Sequence, residues 1–127
     1  MSVTAELCTD LYDRYATAAS TSDAAERRRL LEECAAPDLE IVSPFPYAVR
    51  GIDAVADKLG EVAAAMPDGG LVIRRAGPVD AHNHVFRVPF ENCSGGAVLS
   101  TGLHVVEVAD GRIARIFVFV PDALPTA

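Results

Sequence analysis

The sequence is short of basic residues, of cysteine and of long apolar runs. Lys and Arg together number 11 against 18 Asp and Glu, a net charge of −7, and the longest basic run is Arg27-Arg28-Arg29. Binding DNA or RNA takes clustered cations that displace counterions, so nucleic acid is not an expected partner. The three cysteines, Cys8, Cys34 and Cys93, are odd in number and show no C-x-x-C spacing. That argues against a disulfide framework or a zinc knuckle and for a reducing, cytoplasmic setting. No stretch approaches the roughly 18 apolar residues of a membrane span, and no basic-then-apolar segment marks a secretory signal, so no membrane association is expected. What is there is a chain of 127 residues, half of them apolar. It reads as one domain, residues 1–127, able to bury a core without a disulfide or structural metal.

Leu7, Leu11, Tyr15 and Ala18, at steps of four, four and three, predict a helix over residues 3–20 with these side chains on its inner face. Ser22 or Asp23 can cap a second helix, 24–35, because a side-chain oxygen there accepts free N–H groups. Its Leu30, Leu31 and Cys34 face inward, residues 26–29 face outward, and Pro37 stops it. Alternation over residues 39–43 predicts a short strand with Leu39, Ile41 and Ser43 inside. Pro44-Phe45-Pro46-Tyr47 reads as a rigid loop and a candidate lid. Ile52, Val55, Leu59, Val62 and Met66 predict a third helix, 52–66, stopped by Pro67-Asp68-Gly69-Gly70.

Strands follow over residues 71–76, 82–91, 97–108 and 112–120. In the second, His84, Phe86, Val88 and Phe90 share one face, and Pro89 suggests an edge or a bulge. In the third, Gly102, His104, Val106 and Val108 share a face, and Ala109-Asp110-Gly111 signals a hairpin. In the last, Ala114, Ile116, Val118 and Val120 face one way and Arg115, Phe117 and Phe119 the other. The order predicts an α+β fold, with three N-terminal helices packed on one face of a curved, mostly antiparallel sheet.

Arg14-Tyr15-Ala16, the run Ala25-Glu26-Arg27-Arg28 to Leu31, and Pro37-Asp38-Leu39-Glu40-Ile41-Val42-Ser43-Pro44 before Arg50-Gly51 combine with His82-Asn83-His84-Val85, Gly102-Leu103-His104 and the Asp110-Gly111-Arg112-Ile113 turn. On these residues the chain, from about Leu7 to Phe119, resembles the nuclear transport factor 2-like superfamily, which includes ketosteroid isomerase, scytalone dehydratase, limonene epoxide hydrolase and the SnoaL-like polyketide cyclases. The resemblance implies a strongly curved cone around an apolar pocket. It does not by itself imply one reaction. Tyr15 matches the tyrosine that hydrogen-bonds the substrate oxyanion in ketosteroid isomerase. The isomerase's catalytic aspartate falls at Ser43, and its second oxyanion-hole acid falls at His104. The epoxide hydrolase pattern Asp-Arg-Asp is not recoverable. The two histidines and two tyrosines of scytalone dehydratase are matched in kind by His84, His104, Tyr15 and Tyr47, but not in position.

Histidine titrates near neutrality, so His84 and His104, both expected to face inward, are the candidate proton carriers, with Tyr15 as the oxyanion donor. Each could equally be a hydrogen-bonded interior group. Ser43 reads as a substrate-positioning residue, Phe45 and Tyr47 as the pocket mouth, and Phe86, Val88, Phe90, Ile116 and Val118 as the pocket wall. Tyr12 reads as packing. Two histidines without an inward carboxylate or thiolate leave a metal shell incomplete, so no metal and no cofactor are expected. The reading is a small enzyme performing isomerisation, cyclisation or dehydration on an apolar oxygenated molecule. The alternative is a non-catalytic ligand-binding or assembly domain. Phe117 and Phe119 on the outer sheet face predict a homodimer, the short tail from Pro121 being another possible cover.

Overall fold

The computed structural model describes residues 3–66 and 70–121. Thr4 begins helix α1 (Ala5–Ser20) by accepting the Leu7 N–H on its hydroxyl at 3.1 Å, the usual service of a short polar side chain at a helix start. The buried stripe of α1 is centred on Cys8, Leu11, Tyr12, Tyr15 and Ala19. Leu7, expected inside, is 38% exposed. Cys8 and Tyr12, one position further round the helix, hold the centre of the buried face in place of Leu7.

Asp23 caps α2 (Ala24–Cys34) by accepting the Ala25 and Glu26 N–H groups. Arg27, expected on the outer side of this helix, is only 5% exposed. Its Nε donates to Ala18 O at 3.2 Å and its Nη2 to Thr21 O. The guanidinium thus closes the C-terminal end of α1, which has no basic residue in its own last turn and where free carbonyls carry the negative end of the helix dipole.

Strand β1 (Ala35–Ser43) follows α2 directly, starting before the expected residue 39. Pro37 lies inside it, where pairing with the last strand breaks between Ala35 and Glu40, as a residue without an N–H imposes. Pro44, Phe45 and Pro46 form a turn, and Tyr47 begins a strand that those prolines concealed, β2 (Tyr47–Arg50), antiparallel to β1. Gly51, at φ 93°, swings the chain into α3 (Ile52–Ala64) through a conformation that glycine adopts freely. Most of the expected Pro67 to Gly70 stop, residues 67–69, lies outside the described residues.

The rest of the chain forms β3 (Val72–Arg75), β4 (Asp80–His82), β5 (Val85–Ser94), β6 (Ala97–Ala109) and β7 (Arg112–Phe119). The strand expected over residues 82–91 is split, because Asn83 at φ 52° makes a turn, a left-handed backbone that asparagine tolerates. Pro89 is neither at an edge nor bulged. On one side of β5, β4 pairs with residues 85–87 and β3 with residues 90–93, so the missing N–H falls between two partners. The Pro89 carbonyl still accepts the Ala76 N–H at 2.8 Å.

The seven strands form one sheet, β2-β1-β7-β6-β5-β3, with β4 also paired to β5. It is mixed, since β1 runs parallel to β7. It is also open, ending at β2 and β3, and so departs from the strongly curved enclosure expected of it; α3 comes after β1 and β2, so the helices are not all N-terminal. α1 packs on α2 and β3, and α3 on α2 and β1. Between helices and sheet lie Leu39, Ile41, Phe86, Val88, Val106 and Ile116, each at most 2% exposed; burial of each such side chain stabilises by about 1.5–3 kcal/mol. Ile113 takes the buried place expected for Ala114, because the β6–β7 register slips between Glu107 and Val108. Among the described residues no helix is long and apolar enough to cross a membrane.

Candidate active site

A cavity of about 480 Å³ opens between α1, α3 and the inner face of the sheet. Tyr15 enters it from α1, Ser43 from the end of β1, Phe45 from the proline turn, Tyr47 from β2, Phe90 from β5, His104 from β6 and Val118 from β7. The predicted site residues that it does not gather are four. Phe86, Val88 and Ile116 have the expected inward parity but are sealed in the core. His84 sits in the turn before β5, past the end of the packed face, with its side chain 65% exposed and Nε2 4.0 Å from Glu107. It is a surface residue and not a second inward histidine.

His104 is held from three sides. Its ring stacks on Phe90 at 3.8 Å between centroids and 9° between planes. Tyr15 meets it edge-on at 6.2 Å. Tyr12 Oη lies 2.7 Å from Nδ1. Tyr12 is therefore more than packing: it is the hydrogen-bond partner of the central histidine. Tyr12 is fully buried, and Nδ1 is the only partner of its hydroxyl among the described residues. A buried hydroxyl proton needs an acceptor, so Tyr12 donates to Nδ1 and the ring carries its own proton on Nε2. That Nε2–H has no protein acceptor among the described residues, and His104 lines the cavity.

Burial pushes His104 down from 6.5 to about 3, so at neutral pH the ring is uncharged. Burial also raises the Tyr15 hydroxyl well above its ordinary value, which keeps it protonated. Tyr15 Oη likewise has no partner among the described residues, while no fully buried side-chain N or O there is left unpaired. Two neutral donors, Tyr15 and His104, thus both line the cavity, with their ring centroids 6.2 Å apart. Among the described residues no Asp or Glu lines the cavity, and among them no group of three or more His, Cys, Asp or Glu gathers that could hold a metal.

Lys58 and Asn92 also line the cavity and were not among the expected site residues. Lys58 lies beside the apolar stripe of α3, where helical periodicity carries no signal. Asn92 does continue the Phe86, Val88, Phe90 alternation, and that parity could have found it. Its Nδ2 donates to Ser100 Oγ at 3.0 Å, pairing β5 with β6 at the cavity wall.

Helices laid on one face of a mixed sheet, over a cavity built from the first helix and the long strands, define the nuclear transport factor 2-like class. A model of the SnoaL-like domain matches residues 12–116, and the chain belongs to that family. A solved structure of a candidate SnoaL-like isomerase from Agrobacterium tumefaciens is similar to it with a TM-score of 0.82 at 22% identity, covering 91% of this chain and 97% of that one. A candidate polyketide cyclase from Sinorhizobium meliloti gives 0.68 at 19% identity, covering 91% and 99%. An epoxide hydrolase of Mycobacterium tuberculosis, similar to limonene epoxide hydrolase, gives 0.69 at 15% identity, covering 94% and 86%. At these identities the likeness is one of fold. No curated protein matches the sequence.

Proposed function

We propose that the cavity binds an apolar carbonyl compound and polarises it, as an isomerase or cyclase of the SnoaL-like family would. The observation that carries this is that Tyr15 and His104, two neutral donors packed edge to face at 6.2 Å, line one largely apolar cavity, with Tyr12 holding His104 Nδ1. Two preorganised donors on a largely apolar lining stabilise charge that develops on a carbonyl oxygen during enolisation or ring closure. His104 acts here as a donor and not as a proton carrier, because a ring held near 3 is a weak base at neutral pH. Ser43 and Tyr47 orient the substrate, and Phe90 holds the imidazole in plane.

A second reading, ligand binding without turnover, is favoured by one observation. Ser43 stands where ketosteroid isomerases carry their base, and no carboxylate replaces it among the lining residues described. The test is to titrate apolar ketones and phenols while following the His104 ring by NMR. Tyr15→Phe and His104→Ala should each lower turnover of any ketone that is converted by about 10²-fold, the usual effect of losing one oxyanion donor. Ketones that bind without conversion would leave the binding reading. If no ligand moves the His104 signals, the cavity is not a ligand site.

The outer sheet face completes the proposal. Val42, Phe117 and Val105 lie abreast across β1, β7 and β6, and Phe119, Leu103 and Pro89 abreast across β7, β6 and β5. Phe119 is 53% exposed. An apolar belt of this kind calls for a cover, and a second copy of the chain supplies a self-complementary one.

A further inference from the structure

Lys58 is the one lysine in the sequence; every other basic residue is an arginine. It stands on α3 with its side chain 26% exposed and lines the cavity. Its Nζ lies 5.1 Å from the centre of the Tyr47 ring, where the negative face of an aromatic attracts an ammonium. Its ion-pair partner Glu61, 3.4 Å away on the same helix, is 71% exposed. Such a pair is worth little in water and yields readily to a better anion. No other charged side chain lines the cavity among the described residues. In a protein of net charge −7, the described lining of this cavity therefore carries one cation and no anion.

We propose that Lys58 selects the charge of the ligand, and that the ligand is an apolar monoanion of the carboxylate type. Its anionic end pairs with the ammonium near Tyr47. Its apolar body lies against Leu59, Val62 and Phe90, whose walls exclude water and strengthen the ion contact. The Tyr47 ring, itself part of the cavity lining, restrains the ammonium, so less side-chain freedom is lost on binding. A neutral molecule of the same shape gains the apolar contacts alone. This rests on the reading of the cavity as a ligand site and adds to it a specificity residue.

The single lysine makes the test direct. Reductive methylation with ¹³C-formaldehyde labels Lys58 without removing its charge, and the α-amino signal is told apart by its lower pKa. The protein is titrated with 2-naphthoate and with 2-naphthamide, which share a ring system and a size and differ in charge. Both the Lys58 methyl and the His104 ring signals are followed. Naphthoate should bind at least tenfold more tightly than the amide and move both sets of signals. In Lys58→Gln the preference should vanish while amide affinity stays within twofold. Equal affinities in the native protein, or a preference that survives Lys58→Gln, would overturn the proposal and leave the cavity standing as a ligand site. Failure of both probes to move His104 would remove the cavity reading as well.

Discussion

Tyr12 and His104 show how a buried pair can decide the chemistry open to a site. Left without Tyr12, the imidazole could present either nitrogen to the cavity; with the Tyr12 hydroxyl on Nδ1, it presents Nε2–H. The same burial has a consequence for stability. The folded value of about 3 lies below the 6.5 of the exposed ring, so between these pH values the unfolded chain binds a proton that the native chain refuses. Stability from this group is complete above 6.5, falls as pH drops, and stops falling near 3, at about 1.4 kcal/mol per unit in the steep region. Urea unfolding midpoints from pH 7.5 to 4.5 should therefore fall more steeply in the native protein than in His104→Gln. Parallel lines for the two proteins would show that the ring is not buried in its neutral form.

At the scale of elements, β6 approaches its neighbours closely at Gly102. A Cβ added there would stand 2.3 Å from the Phe119 carbonyl oxygen and 2.8 Å from the Phe90 ring. The first obstacle is backbone and cannot rotate away. The second is the ring that stacks on His104. Gly102→Ala should cost about 1–3 kcal/mol by overpacking and shift Phe90 off the imidazole, which thermal melts and the ring-current shift of His104 would report together. Unchanged melting and unchanged His104 shifts would mean that β6 and β7 have room the geometry does not show. The links between elements follow the same logic of open ends being closed by neighbours. Arg27 of α2 closes α1, Arg112 Nη1 donates to Glu32 O near the end of α2 at 2.7 Å, and Ser20 joins α1 to β3 by accepting the Ile73 N–H at 2.9 Å.

For the whole molecule the outer belt around Phe117 and Phe119 is the feature that the described residues leave partly exposed. Replacing both by Ser should turn a dimer into a monomer in sedimentation velocity, with little change in the far-ultraviolet spectrum, because neither side chain belongs to the buried core. A native protein that sediments as a monomer at all concentrations would set the dimer aside. Beside the belt Arg115 reaches Glu40 at 3.1 Å and Glu107 at 3.3 Å, so one margin of the apolar surface is ionic. Such rim charges contribute to register more than to affinity.

Local pattern determined the three helices, the α+β class and the inward parity of Ser43, Phe90, His104 and Val118, because periodicity reports which side of an element meets the core. The family resemblance added Tyr15 and the meaning of Ser43. Depth along an element was not legible. His84 and Phe90 share one alternation, yet one lies in a surface turn and the other lines the cavity, since parity says which face a residue takes and not how far along it the neighbours reach. Partners were not legible either. Tyr12 and His104 stand 92 residues apart in the chain, and Lys58 and Tyr47 belong to different elements. A hydrogen bond or a cation over a ring is set by packing angles and register between elements, and those are properties of the tertiary structure alone.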